Sequence, residues 1–246
     1  MPADHPLHAR PAPATAPGVV ELRQYTLHPG QRERLIALFE REFVEPQEAA
    51  GMQVLGQFRD EDAPDRFVWL RGFRDMDGRR DALHAFYDGP VWAAHRDAAN
   101  ATMVDSDDVL LLRPAWTGSG LPPGGPRAPL AAVDTGRVAP GRVRIAVFPL
   151  QGPAPEALLL AVRDAAGRHL ASLGARASGW YVSESAPNTF PRLPVRADTH
   201  VLVGVALFDA APPPGADPWA GVPSRWIAGP VQRLRLAPTT RSSLGS

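Results

Sequence analysis

Val19-Val20-Glu21-Leu22-Arg23-Gln24-Tyr25-Thr26-Leu27, closed at once by Pro29-Gly30, is the stretch from which the rest of the chain can be ordered. β-branched and aromatic residues in a run of this length mark a strand, and Pro-Gly ends it. Alternation along a strand puts Glu21, Arg23 and Tyr25 on one face and Val20, Leu22 and Gln24 on the other. Three polar side chains in a row on a strand that should be central are costly unless they are paired or wet. That row is a ligand-binding lining, an internal ion pair between Glu21 and Arg23, or part of a water-filled barrel interior with no ligand.

Working outward, Gln31 to Ala49 carries apolar residues at Leu35, Ile36, Phe39 and Phe43, a helical spacing, with Gly51 placed as a cap. Met52–Arg59 and Arg66–Arg74 read as strands joined by an acidic turn. A second helical region spans Gly78 to Met103 and is interrupted at Gly89-Pro90. Val109–Arg113 reads as a strand, and Asp105 to Asp108 as a solvated turn before it. The order is β-α-β-β-α-β, a ferredoxin-like unit. A Pro- and Gly-dense stretch follows, and then the order recurs: strand Arg142–Leu150, helix Pro155–Leu173, strands Ala177–Glu184 and His200–Phe208, and a last strand Val231–Leu236. A proline-broken segment, Trp219–Ala228, stands where the second helix would be.

The reading therefore divides the chain into a disordered tail (1–18), a first unit (19–116), a Pro/Gly-rich linker (117–141), a second, degenerate unit (142–238) and a short tail (239–246). The expected fold class is α+β, with tandem ferredoxin-like units. A four-stranded sheet with helices on one face leaves the other face bare, and two such units in one chain can cover each other as a closed barrel.

Composition excludes several chemistries. The chain has 246 residues, 44% of them hydrophobic, and its 26 basic and 26 acidic side chains cancel. No net field favours nucleic acid or an anionic membrane. There is no Cys, so thiol nucleophiles and thiolate metal sites are out, and no Lys, so Schiff-base chemistry and a Walker loop are out. Arg, Ala, Pro and Gly usage suggests a GC-rich bacterial source. With neither a signal pattern nor a membrane-length apolar run, a cytoplasmic location is expected.

Glu21-Leu22-Arg23-Gln24-Tyr25-Thr26-Leu27 with Pro29-Gly30 and a long helix resembles the opening of a NIPSNAP domain. Phe67-Val68-Trp69-Leu70-Arg71-Gly72-Phe73 and the helix bearing Phe86 and Trp92 extend the likeness over Val19–Trp116. In the second unit Arg144-Ile145-Ala146-Val147-Phe148 replaces the Glu-x-Arg-x-Tyr signature, and the likeness is architectural. NIPSNAP domains belong to the dimeric α/β-barrel superfamily, so the resemblance implies that barrel and a pocket. Its relatives include cofactor-free oxygenases, haem-degrading enzymes and proteins with no known chemistry.

The expected function is a cofactor-independent enzyme of bacterial small-molecule metabolism using acid/base or monooxygenase-type chemistry, with Arg23, Tyr25 and His95 as catalytic residues. Glu21, Trp69, Arg71, His84, Tyr87 and Trp92 are the expected substrate-binding residues. Arg23 would meet an anionic or carbonyl oxygen and Tyr25 would orient or protonate it. No cofactor is expected. The alternative is a haem-binding protein with His95 as the iron ligand, as the resemblance suggests, or a non-catalytic binding or scaffold protein. The expected partner is a small-molecule substrate, with no nucleic acid or membrane and with homodimerisation left open.

Overall fold

The computed structural model describes residues 16–135 and 140–245; most of the expected N-terminal tail and part of the linker lie outside them. The first half runs β1 (Val19–Leu27), α1 (Arg32–Leu38), a π-helical turn (Phe39–Phe43), α2 (Val44–Ala49), β2 (Gln53–Asp60), β3 (Arg66–Phe73), α3 (Met76–Tyr87), α4 (Pro90–Asn100) and β4 (Met103–Pro114). The second half runs β5 (Arg142–Pro149), α5 (Glu156–Ser172), β6 (Ala175–Ser183), β7 (Val201–Phe208) and β8 (Gln232–Pro238). Only a short 3₁₀ turn, Ser224–Trp226, lies where the second helix of a full unit would stand.

The strands close into one barrel in the order β1-β3-β2-β8-β5-β7-β6-β4. Each half supplies four strands, and two short seams join them: β2 to β8 through Phe58–Asp60, and β4 to β6 through Leu112–Pro114. The bare faces of the two sheets thus become the barrel interior, within a single chain. Even-numbered residues of β1 point inward, where Leu22 packs with Phe58, Leu70 and Leu112 from the first half and Ile145, Val203 and Leu236 from the second. Burial of this many large side chains without a polar partner requirement is what holds the halves together.

Two segments without regular structure complete that core. Leu121 enters it just after β4, and its backbone N–H donates to the Tyr181 hydroxyl at 2.8 Å. Leu244 enters it from the chain's last residues, so that positions 239–244, which carry no strand or helix pattern, are almost entirely buried. Arg241 anchors this segment to the π turn: its backbone N–H and guanidinium donate to the Glu40 carboxylate and carbonyl, and it pairs with Glu45.

Two local differences from the sequence reading have physical causes. The helix read across Gln31–Ala49 is broken by the π turn, which keeps Phe39 and Phe43 both on the sheet side, their rings 6.0 Å apart. β4 begins at Met103 and takes in Asp105–Asp108, because that acidic run pairs with Gln24–Leu27 of β1 through a bulged register. Its charges stay on the solvent side of an extended strand.

Candidate functional site

The helix-facing side of the first-half sheet is built in rows set by the pairing register. One row crosses Val54, Arg71, Glu21 and Leu111; the next crosses Gln57, Trp69, Arg23 and Val109; a third brings Tyr25 beside Phe67. Cross-strand neighbours share a face, so the odd-numbered residues of β1 and β3 stand side by side under the helices. The sequence-predicted residues Glu21, Arg23, Tyr25, Trp69 and Arg71 therefore meet, and all are buried.

Glu21 is the hub. Its Oε2 accepts from Arg23 Nη1 and from Arg71 Nε, both at 2.7 Å, and its Oε1 accepts from Arg79 Nε at 2.7 Å. All four side chains are at most 1% exposed. Three guanidiniums against one carboxylate leave this group with a formal excess of two positive charges. Burial pushes the Glu21 carboxyl up, but the charges of Arg71, Arg23 and Arg79 outweigh it and hold the group far below the usual carboxylate range. Arg79 is lowered, by burial first and by Arg71 and Arg23 beside it, because one shared carboxylate does not offset its surroundings.

Tyr25 accepts a hydrogen bond from Arg23 Nε at 3.0 Å, which leaves its own proton to be given elsewhere. Burial pushes the Tyr25 phenol up, against the pull of the Arg23 guanidinium, so the phenol stays protonated at neutral pH. Arg71 Nη1 lies 3.3 Å from Gln47 Oε1 and 3.4 Å from the Tyr87 hydroxyl. The Trp69 ring is flanked by the guanidiniums of Arg23 and Arg71, at 5.6 and 5.0 Å from their Cζ atoms, a cation–π arrangement.

The group is not closed on itself. Arg71 Nη2, Arg79 Nη2, Trp69 Nε1 and both amide atoms of Gln57 are buried without a hydrogen-bond partner within the protein. Orphaned buried donors are rare in folded proteins and each one calls for an acceptor.

The remaining expected residues lie around this group. Trp92, on α4, stacks edgewise on Tyr87 and tilts against Phe43 and Phe86, forming the roof. His84 is more than half exposed and its Nδ1 lies 2.9 Å from Asp88. His95 sits on α4 with its ring against Phe43 and its Nε2 3.4 Å from Glu42, and among the described residues it shares no hydrogen bond with Arg23 or Tyr25. Its surroundings do not fit haem. Nε2, the usual axial nitrogen, faces a carboxylate, and the space beneath α4 is filled by Phe43, Phe86 and Trp92. Among the described residues, no group of three or more His, Asp or Glu side chains is disposed to hold a metal and no helix is long and apolar enough to cross a membrane.

Sequence reasoning missed Arg79, Gln57, Gln47 and Asn188. Arg79 was visible in principle: it falls in register with Ala82, Leu83 and Phe86 on the buried stripe of α3, and a charge on an apolar stripe needs a partner. Asn188 lies in an irregular segment of the second half, where no periodicity could place it. It accepts from Arg79 Nη1 at 3.0 Å, beside Thr189 Oγ1 at 3.3 Å.

The equivalent face of the second half carries no such group among the described residues. Ala146 and Phe148 stand where the first half has Arg23 and Tyr25, Arg144 stands in the place of Glu21 and pairs with Glu61 at 3.4 Å, and Trp180, Trp219, Leu158 and Val162 complete an apolar layer. Gly204 lies so close beneath Trp219 and Trp180 that a β-carbon would meet them at 2.5 and 2.8 Å.

Residues 20–117 match the NIPSNAP family, so the first half of the chain is similar to a NIPSNAP domain. No curated protein matches the sequence. Over most of its length the fold is similar to that of a provisionally named monooxygenase from Lactobacillus acidophilus: 11% identity, TM-score 0.58, 94% of this chain and 98% of that one. A provisionally named monooxygenase from Fusobacterium nucleatum is similar at 8% identity and TM-score 0.56, covering 92% and 94%. An anthrone oxidase-like protein is similar at 15% identity and TM-score 0.50, covering 89% and 90%. The architecture is thus the dimeric α/β-barrel fold with both halves supplied by one chain.

Proposed function

We propose that the first half of the chain carries a cofactor-independent active site for a small phenolic or enolisable molecule, which it holds and activates as an oxyanion. The observation that carries this reading is the buried group of three guanidiniums on one carboxylate, with orphaned donors at Arg71, Arg79 and Trp69. A substrate oxygen among these groups meets donors and positive charge fixed before the reaction begins. Fixed donors in a dry site favour the charged form of the substrate over the neutral one. Glu21 is a poor base, since three cations hold it ionised. The substrate's own acidity is what changes.

In this reading the substrate gives its proton up to solvent as it binds, and Tyr25, its phenol fixed by Arg23 as positioning partner, donates a hydrogen bond to the resulting oxyanion while keeping its own proton. Arg71 stabilises the oxyanion through its free donor, and Trp69 and Tyr87 supply flat apolar walls. His95 is given no proton-transfer role, because Glu42 and Phe43 engage it away from the group. An electron-rich oxyanion can itself reduce dioxygen, which makes oxygenase-type chemistry available without a resident cofactor. Similarity of fold to proteins named as monooxygenases and as anthrone oxidase-like agrees with that direction, as analogy only. Both halves of the barrel come from one chain, so the site is complete without a second copy.

The test is oxygen uptake and solvent-deuterium exchange across a panel of anthrones, naphthols and cyclic diketones. Turnover of one class should fall about 100-fold or more in Tyr25→Phe, the usual effect of losing a positioned donor, and should survive His95→Ala. No turnover across the panel, or turnover indifferent to Tyr25→Phe and Arg23→Met, would leave the group as a structural brace.

A further inference from the structure

The arginine group is buried, and the segment that seals it comes from the other half of the chain. Between β6 and β7 the chain runs from Glu184 to His200 without regular structure and lies along the helix side of the first-half sheet. Both ends are pinned to β4: Glu184 N donates to Leu111 O and Arg196 N to Val109 O, each at 2.8 Å. In between, Phe190 is buried against His84 and Tyr87, with ring centroids 4.9 and 5.8 Å apart. Arg192 pairs with Asp88 at 2.6 Å on the outside. Asn188 and Thr189 reach Arg79.

Beneath this segment lies a pocket of about 440 Å³. Leu111, which neighbours Glu21 across the strand pair, and Asn188, which holds Arg79, are on its inner side. Its rim carries Arg113, Arg196 and His200 against Glu184 and Asp198, so the rim does not select strongly by charge. Val182, Val195, Pro153 and Ala154 add apolar wall. The volume falls within the range of small-molecule pockets, and its composition suits an apolar body.

We infer that this pocket is the mouth of the site and that the substrate is an aromatic or enolisable carboxylic acid. Its body fills the pocket and its carboxylate takes the free donor of Arg79, leaving that of Arg71 to the oxyanion. The inference rests on the reading that the arginine group receives a substrate, and it adds the substrate's charge and route. The charge follows from the count. The group exceeds its carboxylate by two positive charges, and a substrate that reacts as an oxyanion and also carries a carboxylate supplies two negative ones. The route follows from Asn188, the residue that both lines the pocket and touches the group. Arg79 Nη2 offers its unmade hydrogen bonds without Asn188 having to leave.

The experiment is calorimetric binding of 2-naphthoate and of its neutral isostere 2-naphthamide to the full chain, to Arg79→Met and to Ala186→Trp. Ala186 lines the pocket on the 184–200 segment, away from the arginine group, so filling it tests the route even where Arg79→Met fails to fold. The acid should bind at least about tenfold more tightly than the amide, the factor one charge-assisted hydrogen bond supplies. Arg79→Met should erase that preference, and Ala186→Trp should weaken both ligands about tenfold or more. Equal affinity for acid and amide, or acid binding untouched by Ala186→Trp, overturns the inference. The two readings fail separately. Phenol turnover lost in Tyr25→Phe but indifferent to Ala186→Trp would sink the mouth and keep the active site. Acid binding as described without any turnover would do the reverse.

Discussion

Replacing Glu21 by Gln keeps the shape of the side chain and removes the one negative charge that three buried guanidiniums share. Removing one partner of a buried ion pair costs about 3–5 kcal/mol, chiefly because the remaining charge is left uncompensated. Here Arg23, Arg71 and Arg79 are all left so, and the amide can accept from only one side. At about 2–4 °C per kcal/mol for a chain of this size, the melting temperature should fall by about 6–20 °C. Calorimetry checks it. The pH dependence gives a second signature. The Glu21 carboxyl is depressed in the folded chain, so its contribution is fully present above the unfolded carboxylate value of about 4.3 and is lost as pH falls below it. The gap between the native chain and Glu21→Gln should therefore be widest at neutral pH and narrow on acidification. Adding Arg71→Met to Glu21→Gln should recover part of the loss, since it removes one stranded cation. A Glu21→Gln melt within 2 °C of the native chain, or a gap that widens in acid, would refute the hub.

Four further outcomes follow from the same structure. Phe58→Ala, inside the barrel, should cost about 3–5 kcal/mol in urea unfolding by opening a cavity between the two halves. Gly204→Ala should cost about 1–3 kcal/mol, because the new β-carbon collides with two rigid indoles, and a circular-dichroism melt reads it directly. Arg241→Ala should loosen the last residues from the π turn, seen as faster amide exchange at Ser242 and Leu244 along with lower stability. His95→Ala should change stability by less than about 1 kcal/mol, since the 3.4 Å contact of its ring with Glu42 is partly exposed.

Much of the fold was legible because its signals are periodic. The alternation of β1 already separated the inward Leu22 from the outward Arg23, and the repeated element order together with the bare-face argument led to a closed barrel. The same alternation drew Glu21, Arg23, Tyr25, Trp69 and Arg71 to one face, where the register brings them together. What escaped had no period to read. Leu121 and Leu244 fill the barrel from segments whose only local signal is proline and serine. The π turn adds one residue per turn without any sequence mark. Asn188 reaches Arg79, and Phe190 reaches Tyr87, across more than 100 positions of chain. His84 stands out by its chemistry and His95 by its chemistry and the family resemblance, and their helices turn them toward Asp88 and Glu42.

The central claim is that the arginine group takes an anion at its free donors. Crystals soaked in sodium bromide test it most directly through the anomalous signal. The account predicts a bromide within hydrogen-bonding distance of Arg71 Nη2 or Arg79 Nη2, absent in Arg79→Met. Bromide confined to surface arginines, with these two buried atoms unvisited, would contradict it.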